Sequence, residues 1–322
     1  MATPSSTFTE MVTTTLRNHP NEVADNVSNH NAFYRRLRDR NQIKMLDGGY
    51  EIVRPLDYAE NSTFQRYSGY DTLNVGASDV LTSAKYDWVQ SAVHVTASGL
   101  ELRQNSGKEQ MINLVRARVK NALRTAANNM SVDLYSDGAL TNQMGGLAHV
   151  IQNDGTGTVG GINSSTYDFW VNQFEEAAGT NTISKSTIKG EMNDLWLKCV
   201  RGNDKPDLIL SSNDFYAMFW ESLQDLQRYG NSNDQAVAGF SSLKYNTADV
   251  IHDTNTNFGT TAEKMYFLNT NYLELVSHRA ANWSQLAEKV PTNQDAVVIP
   301  IIWQGQLVCS NRNLQGVLID AA

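Results

Sequence analysis

Two cysteines, Cys199 and Cys309, are all that 322 residues hold, too few and too far apart for a disulfide framework or a cysteine-rich metal site. A reducing compartment is therefore expected. No apolar run approaches about eighteen residues, the length a membrane-spanning helix needs. The opening MATPSSTFTEMVTTT lacks the basic lead and apolar core of an export signal, which points to a soluble protein made and kept in a cytoplasm. Basic charge is also short. Lys plus Arg number 26 against 34 Asp plus Glu, a net charge of -8, whereas a dedicated nucleic-acid binder carries a basic patch on a basic domain.

Catalytic signatures are equally thin. The six histidines, His19, His30, His94, His149, His252 and His278, do not cluster, and neither H-E-x-x-H nor G-x-S-x-G occurs. His252-Asp253 resembles half of a hydrolase metal pair without its remaining ligands. Gly107-Lys108 heads a helical pattern, but a phosphate loop needs glycine five residues before the pair and Ser or Thr after it. Leu102 and Glu109 stand there instead. What remains is Ser106 followed by Glu109, the reciprocal pair that caps a helix start. Gly155 to Gly160 matches the dinucleotide fingerprint by letter, yet Gly161 to Ser165 separates it from any helix whose N-terminus could meet a pyrophosphate. Asp253 to Asn257 begins like a calcium loop but has Phe258 where glycine belongs and Lys264 where a bidentate Glu belongs. No enzyme, cofactor or metal is expected.

Residues 1–45 are polar, with two weak amphipathic patterns separated by Pro20: Phe8, Met11, Val12 and Leu16, then Val23, Val27, Phe33, Tyr34 and Leu37. Neither carries enough apolar face for a private core, so this arm is expected to lie against something else. Its basic cluster, Arg35, Arg36, Arg38, Arg40 and Lys44, reads as a solvated face or as a contact with a neighbouring acidic surface. After Gly48-Gly49, YEIVRPLDY (50–58) predicts an edge strand demoted by Pro55, paired with Lys85–Thr96. The polar stretch between them is too long for a self-sufficient hairpin, and another subunit is expected beneath it.

From Gly107 to Tyr135, Ile112, Val115, Val119, Leu123, Ala126, Met130 and Leu134 form one apolar stripe. At about 1.5 Å per residue the helix would run roughly 43 Å. Beyond Gly138 the units shorten: a strand at 147–152, helices at 166–178, 186–199 and 213–229 (capped by Ser212), and strands at 206–210, 247–252, 264–268, 273–276, 295–300, 302–309 and 316–319. Helices scattered among short strands predict an α+β fold.

Polar arm, long hairpin, long helix and a mixed domain closing on antiparallel strands, in that order, resemble the major capsid proteins of tailed double-stranded DNA phages, with the Hong Kong 97-type coat fold. The resemblance spans nearly the whole chain. It is carried by NVSNHNAFYRRL (26–37), GGYEIVRPLDYAENSTFQRYSGYDTL (48–73), GLAHVIQ (146–152), TGTVGGINSSTYDFW (156–170) and DLILSSNDFYAMF (207–219). It implies an N-terminal arm at 1–45, an extended hairpin loop at 46–97, a peripheral domain at 98–204 containing a spine helix at 106–136, an axial domain near 205–290, and C-terminal strands at 291–322 returning to the body. It also implies hexamers and pentamers closing into an icosahedral shell around packaged DNA, touched only non-specifically, in a virion assembled in the host bacterial cytoplasm.

Candidate intersubunit contacts are Arg35, Arg36, Arg38 and Arg40 of the arm, Arg66, Tyr67 and Tyr70 of the hairpin tip, and Arg116, Arg118, Lys120 and Arg124 of the long helix. The chain leaves no room for a long scaffolding segment ahead of the arm, so a separate scaffolding protein is expected, with a portal and decoration proteins as further partners. Some relatives form lysine–asparagine cross-links from the hairpin. Here Lys85 is the one lysine between 46 and 107 and falls on a strand, so assembly without covalent links is expected. The alternatives are an encapsulin-like nanocompartment and, more distantly, a nucleotide-dependent enzyme resting on the two glycine motifs.

Overall fold

Asn31 opens the first helix of the structure. Its side-chain oxygen accepts the Tyr34 N–H at 2.9 Å, and its amide nitrogen reaches the Ser131 hydroxyl at 2.8 Å. The computed structural model describes residues 31–104, 108–177, 182–227, 243–253, 258 and 263–320; the pattern at Phe8–Leu16 and the Ser106 cap lie outside them. Helix α1 (Ala32–Asp39) turns Phe33 and Leu37, four residues apart, into the protein, where both are fully buried. The arm's described part thus has a core partner in its own chain, contrary to the expectation of a foreign one.

Two sheets meet over that helix. The first has the order β1–β12–β13–β4, built from Ile43–Leu46, Leu273–Gln285, Ala296–Cys309 and Val89–Ser98; β1 runs parallel to β12 and the other pairs are antiparallel. The long helix, α3 (Lys108–Asp133), follows the short α2 (Gly99–Gln104). It packs Val119, Ala122 and Leu123 on Val95, Ala97, Ile299 and Ile301 of this sheet. From Val119 onward the apolar stripe read from sequence is buried, and the 26 residues of the helix span about 39 Å.

The second sheet has the order β7–β14–β11–β8–β10–β9, from Gln173–Ala177, Gly316–Asp320, Lys264–Leu268, Leu208–Ser211, Ala248–His252 and Leu243–Tyr245. Its inner strands β14, β11 and β8 are apolar at consecutive positions because both faces are covered. Ile209, Met265, Phe267 and Leu318 meet α5 (Ile188–Lys198) and α6 (Asn213–Gln227) through Met192, Leu195, Trp196, Phe215 and Phe219. Alternate residues Leu208, Leu210, Tyr266, Leu268, Val317 and Ile319 point the other way, into a shared core. Phe33, Leu37, Leu134, Leu275, Trp303 and Leu307 meet them there. Strand β7 and α5, although they precede residue 205, belong to this second layer, while β12, before residue 290, belongs to the first.

Five local expectations are corrected. Residues 147–150 form a helical turn, α4, not a strand: the Leu134 carbonyl takes the Leu147 N–H at 2.8 Å and Gly146 the Val150 N–H. Gly146 makes this closure possible, since a Cβ there would lie 2.3 Å from the Asp133 carbonyl oxygen. Helix 166–178 is replaced by a 3-10 turn at Asp168–Trp170 and by β7, whose parallel pairing with β14 overrides local helix preference. The segments 295–300 and 302–309 run on as the single β13. Strand β2 (Ile52–Asp57) pairs with β3 (Leu81–Tyr86) rather than with 85–96 as a whole, most of which crosses to β13 as β4. The cap at Ser212 is also absent, because its buried hydroxyl makes no hydrogen bond.

Candidate assembly surface

Alternation along β2 and β3 points Ile52, Leu56, Ala84 and Tyr86 to one face, where they close on Val159, Trp170, Val276 and Val308. The Tyr86 hydroxyl donates to the Cys309 carbonyl at 2.8 Å. Arg54 pairs with Glu274 of β12. The small hairpin of β5 (Thr158–Val159) and β6 (Ile162–Asn163) lies beneath, with Gly160 at its turn. Gly160 has φ +59°, and a Cβ there would sit 2.9 Å from the Ala84 Cβ; its carbonyl accepts the Lys85 N–H at 2.9 Å. The hairpin base is thus packed by its own chain, which leaves the tip as the part for which another subunit is expected.

The tip is different. From Ala59 to Asp79 the recorded hydrogen bonds are internal, such as Gln65 Nε2 to the Thr72 carbonyl at 3.0 Å and the Ser68 N–H to the Asp71 carboxylate at 2.8 Å. Phe64 is 80 % exposed, Tyr67 64 %, Val75 92 %, and Tyr70 fully. The Arg66 guanidinium lies 5.8 Å from the Phe64 ring centroid, a cation–π distance. A group of exposed aromatics on a projecting element is the kind of patch that marks an interaction site.

The arm's arginines divide. Arg36 is engaged within the chain, donating to the Asp207 carbonyl at 3.0 Å and pairing with the carboxylates of Asp207 at 3.3 Å and Asp249 at 3.2 Å. Arg40 also pairs with Asp207, at 3.2 Å. These bonds tie α1 and the residue after it to the N-terminal ends of β8 and β10 in the second sheet. Arg35 and Arg38 lie at the surface beside Asp39.

On the long helix, Lys120 and Arg124 are exposed and have no ion-pair partner among the described residues, whereas Arg118 is held. Its guanidinium donates to the Glu101 carboxylate at 2.6 Å and the Thr96 carbonyl at 2.6 Å. Glu101 closes a capping box with Ser98: the Ser98 N–H donates to its carboxylate at 3.0 Å, and its own N–H donates to the Ser98 hydroxyl at 3.2 Å. The Arg118 guanidinium, then these Ser98 bonds, pull the Glu101 pKa down to about 2. The same S-G-x-E letters occur at 98–101 and 106–109, so this joint is legible in sequence. Arg116 lies outside the described side chains.

The glycine fingerprint has a structural occupant. Arg312, fully buried, donates to the carbonyls of Val150 at 2.6 Å, Thr156 at 2.8 Å and Trp170 at 3.2 Å. The Ser164 hydroxyl bonds to the carbonyls of Gly155 and Gly157. The loop therefore turns carbonyl oxygens inward to a cation and a hydroxyl, the opposite polarity to a phosphate cradle, which presents N–H groups. Nothing in the sequence around Arg312 marks it for burial. Asp253 accepts the Tyr135 hydroxyl at 2.7 Å, and the His252 ring packs on Tyr216. Burial pushes the thiols of Cys199 and Cys309 up to about 12, so neither is a thiolate nucleophile at neutral pH.

Solved phage capsid chains share this backbone arrangement over most of its length. The chain is similar to the cyanophage A-1(L) capsid subunit at TM-score 0.61 and 16% identity, covering 87% of this chain and 90% of that one. The chain has the Hong Kong 97-type coat fold. A capsid chain of the empty GTA particle aligns at TM-score 0.59 and 8% identity, covering 88% and 89%. The myovirus XM1 capsid aligns at 0.55 and 13%, covering 88% and 91%. No protein-family profile and no curated protein sequence matches the chain. Backbone order thus carries the likeness.

Proposed function

We propose that this chain is a major capsid protein, which self-assembles into hexamers and pentamers of an icosahedral shell enclosing packaged double-stranded DNA. The observation that carries the reading is the coat fold over nearly the whole chain, with an aromatic hairpin tip that its own subunit leaves uncovered. The role is structural, without catalysis or cofactor. Tip residues Arg66, Tyr67 and Tyr70 reach a neighbouring subunit, and Arg35, Arg38, Arg116, Lys120 and Arg124 supply further intersubunit contacts. Arg36, Arg40 and Arg118 act indirectly, by fixing the arm and the spine helix in position. The first sheet with the spine helix makes the peripheral domain, and the second sheet with α5 and α6 makes the axial domain, so β7 and α5 join the axial part and β12 the peripheral one.

The partners are copies of this chain, a separate scaffolding protein, a portal and decoration proteins, in a virion capsid assembled in the bacterial cytoplasm. DNA is met only through non-specific contacts, consistent with the net charge of -8: a strongly basic inner wall would hold DNA against movement. None of these observations favours the nanocompartment alternative. The test is expression of the full chain, alone and with a scaffolding partner, followed by negative-stain microscopy. Closed shells or capsomers are expected, and boiling in SDS should release monomers because Lys85 sits on β3 beside Glu51 and not at the tip. A stable monomer under all conditions refutes the reading.

A further inference from the structure

Phe169 lies half-buried in the 3-10 turn Asp168–Trp170, its ring centroid 5.5 Å from that of Tyr58 and 6.1 Å from that of Tyr167. Tyr167 is half exposed. The three rings form a ridge between two grooves, and Tyr58 and Phe169 wall both. One groove, of about 360 Å3, adds Asp57, Glu60, Arg201 and Asn311; the other, of about 460 Å3, adds Asp79, Thr82, Ser83 and Lys85. Both volumes fall within the roughly 300–1,000 Å3 of small-molecule sites. The platform is fixed from below: Trp170 is fully buried, and its indole N–H donates to the Val159 carbonyl at 2.9 Å. Several charged groups elsewhere pair within the chain, as Arg54 does with Glu274 and Arg118 with Glu101. Here the carboxylates of Asp57, Glu60 and Asp79, the Arg201 guanidinium and the Asn311 amide make no hydrogen bond or ion pair with a described residue.

We propose that this ridge and its grooves bind a neutral oligosaccharide, with one sugar ring on Phe169 and the adjoining sugars in the grooves. A pyranose presents an apolar face of C–H groups ringed by hydroxyls that both donate and accept. The negative face of an aromatic ring attracts such C–H groups. The carboxylates accept, the guanidinium donates and the amide does both, which matches the hydroxyls around that face. Charge sets the class of sugar. Three carboxylates stand against Arg201, because Lys85 is paired with Glu51 at 3.9 Å, so a sulfated or uronic saccharide, or a nucleic-acid phosphate, is repelled. An apolar peptide would cover the ridge and strip these groups of water without bonding them, at a cost in free energy. A ridge between two grooves calls for a chain of sugars rather than a single one. The subunit builds the site alone, so the proposal does not rest on the shell reading.

The test is isothermal titration calorimetry of the full-length chain, as free subunits and as particles. The probes are maltohexaose, cellohexaose and the hexamer of N-acetylglucosamine, with a heparin hexasaccharide as the acidic control. At least one neutral hexamer should bind both forms of the protein, and the heparin fragment neither. Phe169→Ala should weaken that binding about tenfold, the worth of one aromatic face, while Phe169→Tyr keeps it. Because Phe169 is half-buried, Glu60→Ala supplies a second variant at an exposed position. Its urea unfolding should match wild type, and its affinity should fall about tenfold with the loss of one hydrogen bond to a charged group. Failure of all three neutral hexamers to bind at millimolar concentration overturns the proposal, as does wild-type affinity in Glu60→Ala. Equal binding of the heparin fragment overturns the class of ligand. Binding to free subunits that is lost in particles means that a neighbouring copy covers the ridge, and it too overturns the proposal. A chain that never assembles yet binds the sugar as a subunit sinks the shell reading and leaves this one standing.

Discussion

Replacing Arg312 with Met removes the donors from three buried carbonyls, those of Val150, Thr156 and Trp170. A charge-assisted hydrogen bond contributes about 1.5–3 kcal/mol, so three contribute roughly 4.5–9 kcal/mol before any offset. The offset is the cost of burying the cation. Desolvation pulls its pKa from 12.5 to about 10, still charged at neutral pH, and at about 1.4 kcal/mol per pKa unit the penalty is about 3 kcal/mol. Met restores the apolar volume and none of the bonds, leaving a net loss of about 3 kcal/mol. For a chain of this size the urea slope is about 3 kcal/mol per molar, so the midpoint should fall by about 1 M. Urea unfolding of free subunits followed by tryptophan fluorescence reads this directly, because Trp170 is buried beside the site. Arg312→Lys, with a single ammonium for three carbonyls, should fall between wild type and Met. A midpoint shift under about 0.3 M for Arg312→Met would mean that the loop holds itself closed without the guanidinium.

Two further outcomes probe the surface and the spine joint. Tyr67→Ser with Tyr70→Ser should leave the subunit's unfolding within about 0.5 kcal/mol of wild type, as for other exposed positions, yet sharply reduce shell yield by negative stain; normal shells would remove the tip from the interface. Glu101 has its folded pKa depressed to about 2, so the stability it contributes is complete above its ordinary 4.5 and is lost as pH falls through about 2. The urea midpoints of wild type and Glu101→Gln should therefore differ at pH 7 and converge towards pH 2. Convergence already complete at pH 4 would show that Arg118 does not hold that carboxylate.

Sequence patterning determined the features that depend on short-range spacing. The i, i+3, i+4 stripe from Val119 to Met130 specified a helix with one buried side, short consecutive apolar runs in β8, β11 and β14 specified strands, and Pro55 specified an edge. The scarcity of basic charge and the scatter of the six histidines set the expectation against a dedicated nucleic-acid binder or a histidine-built metal site. The same patterning erred where a distant partner decides local structure. Phe174-Glu-Glu-Ala reads as helix until β14, about 140 residues later, offers a ladder; Leu147–Val150 reads as strand until the Leu134 carbonyl turns it into a helix. Only the tertiary structure could show that Phe33 and Leu37 fill the seam between two sheets. Nor could a sequence say that Arg312 occupies the loop whose glycines imitate a nucleotide site, because burial of a cation depends on carbonyls contributed by three separate segments.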